Sequence, residues 1–207
     1  MFRAGEIIPW SYIPTIIAPD FYGNPVTRND WFGHYAEWAS FVGIWPLVLA
    51  IYAMLRVRLQ TVLFFLIFGL GSLAFAVNSP LSSLLVSLKI PVLSTSALSR
   101  IVVLFSFSVA VLAGFGFDQL RLGLETKQAK RIIIRTLLVI AVLLVGFWFL
   151  ILIGKVYPDE WLIVAKRNLI LPTALFGTGL LLILLNFYLK HKKLVLLVSL
   201  FLLLASS

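Results

Sequence analysis

Arg100 lies where an apolar stretch begins, a position at which a charged side chain is costly. A guanidinium close to hydrocarbon must extend to the aqueous interface or bind an anion. Its planar fork of N–H donors matches the oxygens of a phosphate, and a helix N-terminus also favours anions. Hydroxyl side chains precede it: Ser94, Thr95, Ser96 and Ser99. The pattern allows a structural arginine that reaches the interface or a site for a lipid phosphate or pyrophosphate, and the hydroxyls favour the phosphate slightly.

A second polar and aromatic group lies nearer the N-terminus. The segment Pro19–Pro25 combines prolines, a glycine and an asparagine with aromatic side chains. The favoured interpretation is a turn-rich loop on the membrane surface, with Asp20 capping a turn. The alternative makes Asp20 or Asp30 part of an outer site for a substrate such as a sugar. The walls of that site would be Tyr22, Trp31, His34, Tyr35 and Trp38.

Other catalytic and metal chemistry has little support in the sequence. There is no cysteine, and the two histidines, His34 and His191, are far apart. Thiolate and histidine metal sites are therefore not expected. No glycine-rich phosphate loop or nucleophile triad occurs, and the adjacent Asp159 and Glu160 are more typical of a helix start. The residues themselves identify no cofactor.

The composition is that of an integral membrane protein. Of the 207 residues, 61% are hydrophobic and 12% are charged, whereas soluble domains have about a quarter charged residues. The formal net charge of +9 comes from basic residues at the ends of apolar runs. That distribution is typical of membrane topology and does not form a soluble basic face. We therefore expect membrane lipids as partners, and no nucleic acid.

The apolar runs predict an all-α, polytopic transmembrane helix bundle with five full spans plus a truncated sixth. The five are Trp38–Leu55, Thr61–Val77, Ser99–Phe117, Ile132–Gly154 and Asn168–Leu189. The sixth begins at Leu194 and reaches Ser207, which is too short for a span. Residues 1–37 are predicted to form an outer segment, and residues 38–207 a transmembrane region incomplete at both ends.

Lysine and arginine are densest in residues 56–58, 121–135 and 190–193. Because cytoplasmic connections are rich in these residues, the N-terminal segment and the connections Asn78–Leu98 and Lys155–Arg167 are expected outside. The N-terminal segment has neither the basic nor the apolar region of a signal peptide. Met1 is therefore interpreted as an internal methionine of a longer protein.

Two local patterns concern helix starts and helix contacts. Ser79 and Pro80 predict a helix start, and leucines then recur at helical spacing: Leu81, Leu84, Leu85 and Leu88. This short amphipathic helix is expected in the membrane interface, or as a re-entrant segment. Small residues at close spacing, such as Gly114 with Gly116 and Gly177 with Gly179, predict close helix packing.

Two segments together resemble a known family. Residues 18–25, APDFYGNP, followed by residues 41–47, FVGIWPL, resemble the "PDFFG…YVGILPL" pattern of the bacterial YfhO-like membrane proteins. Pro91 to Arg100, followed by residues 112–118, LAGFGFD, resembles their "P-x-L…R…LAGFGLD" segment. The order and spacing agree, and the resemblance covers about Ile17 to Leu120.

The resemblance implies a glycosyltransferase of the GT-C class in the bacterial cytoplasmic membrane. Such enzymes transfer a sugar from a polyprenyl-phosphate carrier to a cell-envelope acceptor outside the membrane, as in lipoteichoic acid glycosylation. In this class an outer-loop carboxylate acts as a base or metal partner, so a divalent metal is possible, and basic residues hold the lipid phosphate. Arg100 matches the family's arginine, and Asp20 matches its Pro-Asp motif.

The catalytic acid of GT-C enzymes generally follows the first span, whereas this chain begins with a later outer loop. The catalytic residue is therefore expected to be missing and is not assigned to Asp20. Lipid phosphate or substrate is expected to bind at Arg100, Ser96, Ser99, Asp20, Tyr22, Asp30 and His34. The alternatives are a transporter or flippase for a lipid-linked substrate, and a non-catalytic assembly subunit. A transporter typically has further intramembrane charges or repeats, so it ranks below transfer.

Overall fold

The computed structural model of this protein describes residues 7–27, 34–88, 97–122, 126–154 and 159–189. These residues form helices and their connections, with no β-strand among them, so the all-α prediction is confirmed. The α-helices are α1 (Tyr35–Trp38), α2 (Ile44–Arg56), α3 (Gln60–Ala76), α4 (Pro80–Ser87), α5 (Val102–Arg121), α6 (Lys127–Ile153) and α7 (Asp159–Leu189). Three 3-10 helices cover Trp10–Ile16, Pro25–Thr27 and Leu98–Ile101.

Three helical segments are long and apolar enough to cross a membrane. They are Leu98–Arg121, Lys127–Ile153 and Trp161–Leu185, with 24, 27 and 25 residues. At a rise of about 1.5 Å per residue, each exceeds a hydrocarbon core of roughly 30 Å. By length and composition these three helices could therefore span a membrane, and they correspond to three of the predicted spans.

The predicted count of five to six spans is not supported. Helix α2 has 13 residues and α3 has 17, and at about 1.5 Å per residue both are shorter than the hydrocarbon core. The predicted span Trp38–Leu55 is interrupted because Gly43 adopts a φ of 90°, which starts a new helix at Ile44. Trp38 belongs to the separate helix α1. The segment Leu194–Ser207 lies outside the described residues.

Helices α2 and α5 form the centre of the bundle. Gly116 of α5 lies directly on the backbone of α2, and a Cβ at this position would overlap the Leu49 carbonyl. Gly69 of α3 makes a similar approach to α5, since a Cβ there would lie 2.8 Å from the Ser108 Cβ. Small residues allow helix backbones to approach closely where lipid supplies no hydrophobic driving force between helices. The close packing predicted for Gly116 is confirmed. It is wrong for Gly114 and Gly177, where a Cβ would meet no heavy atom of the described residues within 4 Å.

Trp45 connects α2 to α7. Its indole lies against Gly179, where a side chain would overlap the ring. The indole Nε1 donates to the Leu175 carbonyl at 3.0 Å, and the ring stacks on Phe176 with centroids 6.1 Å apart. A buried tryptophan usually needs such an acceptor for its indole N–H. The packing predicted for Gly179 is therefore a contact with an aromatic ring.

The N-terminal segment is attached to the end of α3. The Ile8 N–H donates to the Ala76 carbonyl and the Asn78 N–H donates to the Ile8 carbonyl, both at 2.9 Å. The Trp10 indole donates to the Asn78 carbonyl at 2.6 Å. These bonds hold the 3-10 helix Trp10–Ile16 over the end of the bundle at which α3 finishes.

Helix α4 begins as the sequence predicts. The Ser79 hydroxyl accepts from the Ser82 N–H at 3.2 Å, and the Ser82 hydroxyl accepts from the Ser79 N–H at 2.9 Å. Pro80 occupies the first helical turn. Ser82 is buried, whereas Leu81, Leu84 and Leu88 are exposed. Ser83 and Ser87 are exposed as well, so the helix buries Ser82 and presents both leucines and serines on its outer surface.

We predict opposite effects of alanine at Gly116 and Gly114, which lie on the same helix. A methyl group at position 116 meets the Leu49 backbone, and such overpacking costs about 1 to 3 kcal/mol. A methyl group at position 114 would meet no heavy atom of the described residues within 4 Å, so Gly114→Ala is expected to retain or slightly raise stability. Thermal unfolding in detergent measures both. Equal midpoints for the two variants would contradict the α2–α5 contact.

Candidate functional site

Residues 18–26 form consecutive turns. The Phe21 N–H donates to the Ala18 carbonyl at 3.1 Å, and the Gly23 N–H donates to the Asp20 carbonyl at 2.9 Å. Gly23 has a φ of 101°, which favours glycine. The Asn24 side chain accepts from the Val26 N–H at 2.8 Å, a typical Asx turn. The turns predicted for this segment are confirmed, whereas the Asp20 carboxylate binds two side chains and does not cap a turn.

The Asp20 carboxylate links this turn to α1, and its carbonyl links the turn to α7. Oδ1 accepts from the Tyr35 hydroxyl at 2.6 Å and from the Asn24 side-chain amide at 3.3 Å. The Asp20 backbone carbonyl accepts from the side-chain amide of Asn168. The carboxylate therefore holds neighbouring elements together, and one of its oxygens is already occupied.

Tyr35 is the donor in the central bond of this cluster. Burial, together with the hydrogen bond to Asp20 and the charge of that carboxylate, raises the pKa of Tyr35 to about 12. The hydroxyl is protonated at neutral pH and donates a hydrogen bond to Asp20, and the raised pKa reflects how strongly this site favours the neutral form. Because Oδ1 is held in this way, the arrangement favours a positioning role for Asp20 over that of a general base.

Arg100 lies in the 3-10 helix Leu98–Ile101, which leads directly into α5. Its Nη2 donates to Glu37 Oε1 at 2.9 Å, and the two side chains are 71% and 36% exposed. An exposed ion pair of this kind contributes about 0 to 1 kcal/mol, so its main effect is to orient the guanidinium. The other N–H donors of Arg100 have no partner among the described residues.

Helix α1 connects the two parts of the cluster. It carries Tyr35, which binds Asp20, and two residues later Glu37, which binds Arg100. Residues that are 80 positions apart in the sequence are thereby brought to the same end of the bundle. We call this set, Asp20, Asn24, Tyr35, Glu37, Arg100 and Asn168, the polar cluster.

The remaining site residues of the sequence analysis take different places. His34 is exposed at the start of α1, and its ring meets Trp38 edge-on at 5.3 Å. Tyr22 is buried, stacks on Tyr12 at 5.0 Å and donates to the Ser11 carbonyl. Tyr22 thus belongs to the packed interior, whereas His34 lies beside the polar cluster.

Ser99 is fully buried next to Arg100. Its hydroxyl has no hydrogen-bond partner among the described residues, which is costly for a buried polar group. Ser96, Asp30 and Trp31 lie outside the described residues. Of the predicted phosphate-binding hydroxyls, the structure therefore describes only Ser99.

Glu37 and Asn168 were not singled out by the sequence analysis. Glu37 is one of several acids in the N-terminal segment, and nothing in the sequence links it to an arginine 63 positions away. Asn168 was visible only as a lone amide at the edge of an apolar run. Such an amide is expensive in hydrocarbon without a partner, and this cost is the one signal that could have identified it.

A divalent metal has no evident ligand set in the described ranges. No group of three or more histidine, cysteine, aspartate or glutamate side chains lies close enough together there to hold one. The carboxylates of the polar cluster are instead bonded to Tyr35, Asn24 and Arg100.

Comparisons with known proteins give no relative. No family model matches the chain, and neither a curated protein nor a solved structure matches it significantly. The resemblance to the YfhO-like proteins therefore stays a prediction from the two sequence segments.

We predict that Tyr35 titrates later than an ordinary tyrosine. Its pKa in the folded chain is raised from 10.0 to about 12. The stabilisation by the protonated hydroxyl is therefore complete below the unfolded pKa and is lost as the pH rises through the folded value. The tyrosinate absorbance of the native protein minus that of Tyr35→Phe, recorded by rapid pH jump, should show a midpoint near 12. In denaturant the same difference should titrate near 10, and a midpoint near 10 in the folded protein would contradict the Asp20–Tyr35 bond.

Proposed function

We propose that the chain is part of a GT-C-type membrane glycosyltransferase. The enzyme transfers a sugar from a polyprenyl-phosphate carrier to a cell-envelope acceptor at the outer face of the bacterial cytoplasmic membrane. The resemblance over Ile17 to Leu120 motivates the proposal. One structural observation carries it: the Asp20 turn and Arg100, which come from the two resembling segments, are connected through α1.

In this proposal Arg100 holds the lipid phosphate. It lies at the entrance to a membrane-length helix, its side chain is largely exposed, and its bond to Glu37 uses a single nitrogen. A phosphate can therefore approach the remaining N–H donors, which favour oxyanions. Glu37 acts as a positioning residue that holds the guanidinium at the helix entrance.

The exposed surfaces support a membrane environment beyond the three long helices. Helix α3 exposes large apolar side chains along one face: Leu63, Phe64, Ile67 and Leu70. Exposure of such a face to water would be unusual, whereas in lipid it is favourable. The outward leucines of α4 similarly fit the membrane interface. We propose that α3 lies in the hydrocarbon and α4 on its outer surface, with the N-terminal segment outside.

The orientation predicts which positions a membrane-impermeant maleimide reaches in intact cells. The chain contains no cysteine, so a single introduced cysteine is labelled with no background from other cysteines of the chain. Val26 and Leu122 are 89% and 70% exposed, and they lie on the proposed outer and inner sides. Val26→Cys should be labelled in intact cells, and Leu122→Cys only after permeabilisation. The reverse pattern would contradict the orientation.

The phosphate role predicts different outcomes for the two members of the ion pair. In the intact protein, Arg100→Ala should reduce sugar transfer from a polyprenyl-phosphate donor at least about tenfold, equivalent to the loss of 1.4 kcal/mol for a charged hydrogen bond. Glu37→Gln removes the charge of the ion pair but keeps an amide oxygen that can accept from the guanidinium, so Arg100 stays in place and transfer should largely persist. Radiolabelled sugar transfer in membrane vesicles measures both, with expression and insertion as controls.

Equal losses in the two variants would mean that Arg100 acts only by holding Glu37. Undiminished transfer by Arg100→Ala would leave it a structural arginine at the interface. Either result would remove the phosphate role from this proposal.

A further inference from the structure

We propose that the chain binds one phospholipid in a groove between α2, α3 and α5, with an acyl chain in the groove and the phosphate at Arg58. The site is separate from the polar cluster and does not depend on the proposed transfer activity. It is assembled from two adjoining cavities that share a wall and together run along α3.

The deeper cavity has a volume of about 130 Å³ and lies between α2, α3 and α5. Its lining is apolar apart from Ser108, whose hydroxyl already donates to the Leu104 carbonyl at 2.7 Å. An enclosed cavity of about 150 Å³ with apolar walls stays dry and binds apolar molecules, and the same kind of lining favours hydrocarbon in this groove. Hydrocarbon is therefore the favoured occupant, and water is not.

The second cavity, of about 340 Å³, continues from the first towards the α2–α3 connection. Met54 and Leu66 line both cavities, so the two adjoin at these side chains. At its far end lie Arg58 and Gln60, both exposed polar side chains. The combined groove is thus apolar at one end and cationic at the other, which is the pattern a lipid with a phosphate headgroup requires.

The dimensions of the groove fit one leaflet. From Gln60 to Leu70 along α3, the rise of about 1.5 Å per residue gives roughly 15 Å, half of a 30 Å hydrocarbon core. The deeper cavity is lined by Ser108 and Val109, which lie near the middle of the membrane-length segment Leu98–Arg121. An acyl chain with its headgroup at Arg58 would therefore end near the membrane midplane.

The neighbouring surface indicates where the bound acyl chain comes from. Leu70 lines the deeper cavity and is itself exposed, and it continues into the apolar face of α3. The groove thus opens sideways onto the surface that we assign to lipid. Only Arg58 carries a charge among the lining residues, so the walls select hydrocarbon plus one anionic group. A membrane phospholipid supplies both.

Photolabelling tests the site. The intact protein is reconstituted in phosphatidylcholine vesicles that contain phosphatidylglycerol with a diazirine at the end of one acyl chain, and the adducts are located by mass spectrometry. Val109 and Leu112 line the groove yet are buried, so adducts at these residues require an acyl chain inside the groove. Labels confined to outward residues such as Phe64 would overturn the proposal. It would also be overturned if unlabelled polyprenyl phosphate displaced the probe and unlabelled phosphatidylglycerol did not.

Matched variants distinguish lipid binding in the groove from general lipid contact at the protein surface. Leu70 and Ile67 are 55% and 63% exposed on the same helix, but only Leu70 lines the groove. Leu70→Trp should abolish labelling of Val109 and Leu112, whereas Ile67→Trp should leave it intact. Arg58→Ala should reduce the labelling, whereas Arg121→Ala, at another exposed arginine, should not. Equal labelling of the two tryptophan variants with equal thermal stability would overturn the groove, and unchanged labelling of Arg58→Ala would overturn the headgroup site.

Discussion

The structure depends on the close approach of α2 and α5 at Gly116, where the two backbones touch. In hydrocarbon no hydrophobic force draws helices together, so dispersion contacts between closely packed backbones hold them. Helix α1 and its Glu37 precede α2, and the helical turn with Arg100 precedes α5. The contact between the two helices therefore fixes how the two charges meet. Replacement of a single hydrogen atom at Gly116 would disturb that alignment.

The polar cluster works by positioning, since its bonds individually contribute little to stability. The Glu37–Arg100 pair is exposed, and such pairs are worth about 1 kcal/mol or less. The Tyr35 hydroxyl and the Asn168 amide hold the Asp20 turn against α1 and α7. Together these bonds present a cation at the entrance to an apolar helix beside a buried, unbonded Ser99 hydroxyl. The arginine reaches the aqueous surface from that position, since its side chain is 71% exposed.

Local sequence signals predicted much of the fold. The long apolar runs, the Ser79–Pro80 helix start and the turns around Gly23 depend on neighbours in the chain, and each is present in the structure. The division of the first predicted span was missed because apolar composition hides the positive φ of Gly43. The lengths of α2 and α3 are likewise set by where their neighbours begin, which hydropathy alone does not reveal.

The candidate site was predictable only in part, since its defining contacts are distant in sequence. Arg100 was identified because an arginine near hydrocarbon is costly. Its partner Glu37 could not be identified, since no sequence signal links the two residues. Tyr22 has the residue type expected of a binding wall, yet its stacking on Tyr12 places it in the interior. Residue type indicates which chemistry is available, whereas tertiary packing decides which side chains remain accessible to a ligand.

The most direct test of the central claim is the binding of polyprenyl phosphate to the intact protein, measured against the uncharged polyprenol. If Arg100 holds the phosphate, the native protein and Glu37→Gln should both bind the phosphate more tightly than the alcohol. In Arg100→Ala the difference between the two ligands should disappear. Equal affinity of the native protein for both ligands, or a preference for the phosphate that survives in Arg100→Ala, would contradict the account.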